Sequence, residues 1–229
     1  LGTILAVWAH PDDETYVAGG IMALAVANGQ RVVCVSATVG ERGTDDPVAW
    51  PPERLGRVRR WEAAAAMAIL GVEDHRWLDY PDGGLAELDR SEPVARLARI
   101  LDEVRPDTVL TFAPDGGTFH PDHQAVSVWV DQARAAARHP PRVLHEVVTD
   151  EFLAEWGDLM ETWGVYMSDD RPVGVPAETL ALDVHLTGAA LDQKIAALCA
   201  MFTQVAPAIA HIGEEAFRTL NSRETFVEA

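Results

Sequence analysis

The chain has 229 residues, of which 48% are hydrophobic, so it is long and apolar enough to bury a core and is not a disordered linker. Its 18 lysine and arginine residues stand against 36 aspartate and glutamate residues, which gives a net charge of −18 at pH 7. This charge repels phosphate backbones and anionic headgroups, so neither nucleic acid nor a membrane surface is expected as a partner.

Short apolar runs alternate with longer runs of helical periodicity up to Thr149. The predicted strands are Thr3–Ala9, Arg31–Thr38, His75–Leu78, Thr108–Phe112 and Arg142–Thr149, and the predicted helices are Thr15–Asn28, Glu53–Leu70, Pro93–Val104 and Asp122–Arg138. Helical crossovers between buried strands favour an α/β, Rossmann-like fold: a mostly parallel sheet with helices on both faces. The common doubly wound strand order of such sheets is 3-2-1-4-5.

The pattern loosens after Thr149, where only a short strand, Thr179–Val184, and a helix, Gly188–Phe202, are predicted. We therefore expect one domain, with a core over residues 1–149 and a C-terminal cap or extension over 150–229. Two cysteines cannot form a disulfide framework, and no signal peptide or bilayer-spanning apolar stretch is recognised. These features favour a cytoplasmic protein, and a homo-oligomer is compatible with them.

The first group of ionisable residues is His10-Pro11-Asp12-Asp13-Glu14, at the end of the first predicted strand. Ligands of open parallel sheets bind outside the carboxyl ends of the strands. Histidine and aspartate are good ligands of first-row metals, and His10 and Asp13 are spaced to converge on one ion. The alternative is helix capping, which explains one carboxylate well but not three consecutive acids beside a histidine.

The second group, His120-Pro121-Asp122-His123, follows the predicted strand Thr108–Phe112. In the doubly wound order the first and fourth strands are neighbours, and the crevice between them is where such sheets bind ligands. The two groups are therefore predicted to face each other across that crevice.

His10, Asp13 and His123 together offer two imidazoles and one carboxylate, the ligand composition of a hydrolytic zinc site that keeps a position for water. Non-haem iron uses the same ligand types, so Zn²⁺ is expected and Fe²⁺ stays open.

The remaining residues of the two groups suit acid–base chemistry. Asp12 is the candidate general base toward metal-bound water, and His120 the candidate to face the oxyanion or protonate the leaving amine. Asp122 is expected to orient His120, and Glu14 to support the ligands without binding the ion.

With these motifs, Ala9-His10-Pro11-Asp12-Asp13-Glu14 and His120-Pro121-Asp122-His123, the sequence resembles the PIG-L/LmbE-like N-deacetylase superfamily. Further matching elements are Gly40-Glu41-Arg42-Gly43, Arg59-x-x-Glu62, Leu70-Gly71-Val72, Tyr80-Pro81-Asp82-Gly83 and the spaced Asp183, Lys194 and Gln204.

The resemblance implies a Rossmann-like zinc enzyme with the ligands and roles given above. It implies hydrolysis of an acetamide on a glucosamine-containing small molecule, with Arg59 and Asp82 near the sugar. For Arg59 the alternative is an ion pair with Glu62 on the helix surface. Thr118 departs from the tyrosine that some members carry two residues before the first histidine of the second motif.

Rival functions are an amidase of thiol conjugates of the mycothiol type and a metal-bound, non-catalytic sugar-binding protein. The presence of both Asp12 and His120 argues against loss of catalysis. A dinucleotide-binding oxidoreductase is disfavoured because no G-x-G-x-x-G directly follows a strand.

Overall fold

The computed structural model covers residues 1–229. Its strands are β1 (Ile4–Trp8), β2 (Val32–Ser36), β3 (Asp74–Trp77), β4 (Thr108–Phe112), β5 (Arg142–Glu146), β6 (Leu182–His185) and β7 (Arg223–Glu228). They form one sheet in the order β3-β2-β1-β4-β5-β7-β6. The first five strands pair in parallel, whereas β7 runs antiparallel to both β5 and β6. The predicted Rossmann-like fold and the order 3-2-1-4-5 are confirmed.

The helices are α1 (Asp13–Ala27), α2 (Pro52–Leu70), α3 (Ser91–Val104), the short kinked α4 (Gly116–Phe119), α5 (Pro121–Ala136), α6 (Asp150–Trp163), α7 (Gly188–Ala200), α8 (Phe202–Ile212) and α9 (Glu214–Leu220). Helices α1, α2 and α7 pack together, and α3 packs on α5. Right-handed crossovers that run outward in both directions from β1 place these two groups on opposite faces of the sheet. Strands β1, β2 and β4 are buried along their whole length between them.

The C-terminal part differs most from the prediction. The strand expected at Thr179–Val184 lies at Leu182–His185, and the helix expected at Gly188–Phe202 ends at Ala200, where α8 follows at a sharp angle. Helices α6 and α9 and strand β7 were not predicted. Because β6 and β7 extend the sheet, residues beyond 149 complete it as well as cover it.

A buried ion pair fixes this C-terminal part to α1. Lys194 Nζ lies 2.8 Å from Glu224 Oε1 and donates to the carbonyl of Tyr16 at 2.7 Å. The backbone N–H groups of Gly20 and Ile21 donate to the two oxygens of Glu224, each at 2.7 Å. These contacts hold helix α1 close to strand β7.

No single helix is long and apolar enough to cross a membrane, and α7 and α8, which reach that length only together, are bent by 114°.

Candidate active site

The two predicted groups meet at the carboxyl ends of β1 and β4. His10 follows β1, and His120 and His123 follow β4, which is its parallel neighbour. Strand order reverses at this point, so loops diverge on either side and leave a crevice. The predicted meeting of the two motifs is observed.

Three side chains in the crevice, those of His10, Asp13 and His123, form a compact triangle in which the two imidazoles face different oxygens of Asp13. His10 Nδ1 lies 3.2 Å from His123 Nε2 and 3.5 Å from Asp13 Oδ2, and His123 Nε2 lies 3.4 Å from Asp13 Oδ1. Ligands about 2.0–2.1 Å from one tetrahedral ion stand about 3.3–3.4 Å apart. The separation of the two nitrogens, and that of each nitrogen from one oxygen of Asp13, are therefore close to the spacing of ligands in such a site, and one ligand atom from each residue lies within 4.8 Å of the others.

A hydrogen bond at Nδ1 of His123 leaves Nε2 of the same ring free to bind a metal. Nδ1 lies 2.9 Å from the carbonyl oxygen of Gly116, which only accepts, so Nδ1 carries the proton and Nε2 keeps its lone pair. The ring stacks on Phe112 with a centroid separation of 4.1 Å. Burial lowers the pKa of His123 to about 4, so the imidazole is neutral, as a ligand must be.

His10 is oriented by two carboxylates. Its Nε2 lies 3.1 Å from Asp82 Oδ1 and 3.3 Å from Asp122 Oδ2, so this nitrogen is the donor and Nδ1 faces the triangle. Burial alone would lower the pKa of His10, but Asp122, Asp13 and Asp82 together raise it well above its usual value. A raised pKa means that His10 tends to carry a proton on both nitrogens. A metal ion at Nδ1 would take the place of the Nδ1 proton, while Nε2 keeps the proton that it donates to Asp82 and Asp122.

Asp12 stands beside the triangle without joining it. Its backbone has φ 110°, a region that costs a non-glycine residue about 1–3 kcal/mol. Arg59 Nη2 lies 3.2 Å from Asp12 Oδ2, and the Glu14 carboxylate accepts from the Asp12 N–H at 3.2 Å. Burial raises the pKa of Asp12 to about 7 in spite of Arg59, and burial and Asp12 raise that of Glu14 to about 8. A base with such a pKa is suited to proton transfer near neutral pH.

His120 accepts a hydrogen bond on Nδ1 from the backbone N–H of Asp122 at 3.0 Å, so a neutral ring carries its proton on Nε2. Burial and His10 lower the pKa of His120. Asp122, which is expected to orient His120, contacts that ring through its backbone N–H and not through its carboxylate. The carboxylate instead faces His10 and accepts from the N–H groups of Gly83 and Leu85, at 2.8 and 2.9 Å, so only the backbone of Asp122 orients His120.

The model of one protein family, described as GlcNAc-PI de-N-acetylase (PIG-L), matches residues 5–134, more than half of the chain. The chain belongs to the PIG-L family. A 1D-myo-inositol 2-acetamido-2-deoxy-alpha-D-glucopyranoside deacetylase of Acidothermus cellulolyticus is 38% identical over 94% of this chain and 86% of its own length. An enzyme of the same name from Mycolicibacterium gilvum is 33% identical over 88% of this chain and 80% of its own length.

Solved structures share the fold at lower identity. The N,N'-diacetylchitobiose deacetylase of Pyrococcus horikoshii superposes with a TM-score of 0.71 and 24% identity, covering 99% of this chain and 83% of its own. The 4-carboxy-2-hydroxymuconate hydratase of Pseudomonas putida, GalB, has a TM-score of 0.68, with 20% identity over 100% of this chain and 96% of its own. Because the fold carries a hydratase as well as deacetylases, function has to be argued from the site.

Two residues predicted to lie near the sugar have positioning contacts here. Arg59 is 3% exposed and donates to the carbonyls of Gly40, at 2.7 Å, and Pro11. Its surface ion pair with Glu62 is excluded, because Glu62 accepts two hydrogen bonds from Thr203 instead. Asp82 Oδ2 accepts from the N–H of Arg42 at 2.7 Å while Oδ1 faces His10. Substrate contact by Arg59 and Asp82 stays a prediction.

The three C-terminal residues of the family pattern are also placed. Asp183 binds Arg223 through both oxygens at 2.9 Å, Lys194 forms the buried pair described above, and Gln204 donates to the carbonyl of Gly43 at 3.1 Å. Lys194 and Gln204 join the C-terminal part to the segments around the site, whereas Asp183 ties β6 to β7 within the C-terminal part.

A chamber of about 420 Å³ opens beside the triangle, with Asp12, Asp13 and His123 in its wall. Thr118, the departure from the family's tyrosine, lines it too, with its hydroxyl 3.5 Å from His123 Nδ1. Glu146, the last residue of β5, is a further acidic side chain in the wall that the sequence reasoning missed. The predicted strand runs to Thr149, whereas β5 ends at Glu146, so the sequence analysis does not place this acid at a strand end.

Proposed function

We propose that the chain is a metal-dependent N-deacetylase of a glucosamine-containing small molecule, with His10, Asp13 and His123 as the metal ligands. One observation carries the proposal: the two imidazole nitrogens lie 3.2 Å apart and 3.4 to 3.5 Å from the Asp13 carboxylate, and each imidazole is already bonded through its other nitrogen. Family membership and relatives named as deacetylases of an acetamido sugar support the reaction and the substrate class.

A divalent ion bound there supplies Lewis-acid polarisation of a carbonyl oxygen and lowers the pKa of water. Zn²⁺ suits two imidazoles and a carboxylate, and Fe²⁺ is the alternative, because both accept this donor set.

The chain's own residues supply the proton transfers. Asp12 lines the chamber beside the ligands and accepts the proton of the attacking water, with Arg59 holding the carboxylate in place. The Nε2–H of His120 donates to the carbonyl oxygen as negative charge develops, or to the leaving nitrogen. The products are acetate and a free amine.

The test is release of primary amine from a panel of N-acetylglucosaminides and thiol-conjugate amides. Native, chelator-treated, zinc-restored and iron-restored protein are compared. Loss of amine release on chelation and its recovery with one metal support the proposal. Turnover of thiol conjugates alone transfers the assignment to the amidase, and turnover that survives chelation contradicts the metal role.

The expected absence of nucleic-acid and membrane partners, the possible association of copies and a cytoplasmic location stay predictions from charge and composition.

A further inference from the structure

Glu146 has an unused hydrogen-bonding atom in the chamber wall. Its Oε2 is buried and accepts no hydrogen bond from the protein. Burial, and then the neighbouring charge of Asp115, raise the pKa of Glu146 to about 7. A buried carboxylate oxygen without a donor destabilises the fold, and a ligand that brings a donor removes that cost.

The position of Glu146 is set by the segment that holds the metal ligands. Gly117 has φ 69°, and a Cβ built on it would lie 2.9 Å from Glu146 Oε2. The carboxyl group therefore lies against bare backbone, one residue from the Gly116 carbonyl that fixes His123. Glu146 lines the same chamber as Asp13 and His123 of the triangle.

Other buried polar atoms without partners do not share this placement. They are Trp8 Nε1, Glu41 Oε2, Arg59 Nε and His145 Nε2. None of these residues lines the chamber. Glu146 is thus the residue at which an unpaired buried atom and the chamber coincide.

Another wall of the chamber is apolar. Phe152, Met160 and Trp163 from α6 line it, together with Val165. A ring with a C–H face and hydroxyl groups at its edge matches such a pair of walls, since the face packs on apolar side chains and a hydroxyl donates to the carboxylate. All these residues lie beyond position 134, outside the span that the PIG-L model matches.

We propose that Glu146 is a specificity-determining residue: it accepts a hydrogen bond from a hydroxyl group of a polyhydroxylated ring attached to the amino sugar, while that ring packs on the apolar wall of α6. The proposal rests on the proposed function for the reaction, but it concerns recognition in the chamber and is tested separately by binding.

The experiment compares two N-acetylglucosaminides, one carrying myo-inositol and one carrying cyclohexanol, which is a ring without further hydroxyls. We expect Glu146→Gln to lower kcat/KM for the inositol compound by about ten- to a hundredfold and to change the cyclohexyl compound by less than about threefold, because only the first donates a hydrogen bond here and a neutral amide accepts it more weakly than a carboxylate. Glu155→Gln, an exposed glutamate of α6, is the matched control and should change neither.

Stability separates recognition from a structural role. Because Glu146→Gln removes an unpaired buried charge, its Tm should equal or exceed that of the unaltered protein. A Tm lower by several degrees, with equal losses for both compounds, would mean that Glu146 acts on the fold and would overturn the assignment. No loss for either compound would overturn it as well.

Binding of the two deacetylated products, measured by calorimetry, distinguishes this proposal from the proposed function. If neither acetylated compound is hydrolysed but the inositol product binds at least tenfold more weakly to Glu146→Gln, the deacetylase assignment fails and the role of Glu146 stands. If the acetylated compounds are hydrolysed and neither hydrolysis nor binding depends on Glu146, the deacetylase assignment stands and the role of Glu146 fails. Failure of the inositol product to bind the unaltered protein overturns the role of Glu146.

Discussion

The ligand triangle and the wall of the chamber are built in opposite ways, although they adjoin. Each residue of the triangle lies in the loop or in the first turn of a helix that follows a fully buried strand, and each imidazole has a second partner. Helix α6, which lines the chamber, contributes no fully buried side chain, and Glu146 has an unpaired oxygen. We infer that the side chains of the triangle are held in fixed positions at the carboxyl edge of the sheet, whereas the side chains of the chamber wall can adjust to a ligand.

The largest expected effect is on turnover, and it distinguishes Asp12, the proposed base, from the three proposed metal ligands beside it. Asp12→Asn should retain bound metal but lower kcat by about 10²- to 10⁴-fold, because the carboxylate that accepts the proton is lost while the triangle is not. Metal analysis and single-turnover kinetics of the same preparation measure both quantities.

His123→Ala is the matched variant and should lose the metal together with activity. An Asp12→Asn protein that stays fully active would remove the base assignment, and one that loses its metal would make Asp12 a ligand.

The second prediction concerns the buried ion pair that fixes the C-terminal part, which includes α6, to α1, which begins at Asp13. Lys194→Met leaves the buried Glu224 carboxylate without its cation, and removing one partner of such a pair costs about 3–5 kcal/mol of unfolding free energy. Denaturant unfolding should show this loss, and Lys194→Met with Glu224→Gln should recover part of it. A single variant as stable as the unaltered protein would show that the C-terminal part is held by apolar packing instead.

The third prediction tests whether Asp82 acts on metal binding through His10. Asp82→Asn should weaken zinc affinity by about 10- to 100-fold, since the donor nitrogen of His10 loses one of its two carboxylates. Competition with a chromophoric chelator gives the affinity. If KM for the substrate rises while zinc affinity is unchanged, the sugar contact implied by the family resemblance is the better account of Asp82.

The same contrast explains what could be predicted from the sequence. The strands and the long helices up to Thr149 follow from hydrophobic periodicity, whereas the short α4 was not predicted. The meeting of His10, Asp13 and His123 follows from their placement after β1 and β4, which are adjacent in a doubly wound sheet. Helix α6 has no fully buried side chain, and β7 pairs antiparallel with β5 across a long stretch of chain, so local pattern shows neither.

Side-chain contacts between distant parts of the chain could not be predicted from the sequence either. Asp82 and Asp122 converge on one nitrogen of His10 only because three separate loops meet there. That Glu146 lacks a donor is a property of everything around it, and no residue pattern encodes it.

The smallest expected effect tests the adaptable character of α6. Phe152 lines the chamber and is half-buried, so Phe152→Ala should lower the free energy of unfolding by less than about 1 kcal/mol. It should raise KM by about threefold to tenfold, because a bound ligand can no longer bury its apolar surface against the Phe152 ring. Leu153→Ala, on the same helix but outside the chamber wall, is the matched control and should leave KM unchanged. A large stability loss in Phe152→Ala with unchanged KM would show that α6 belongs to the rigid region, and the two regions would then no longer differ in the way described.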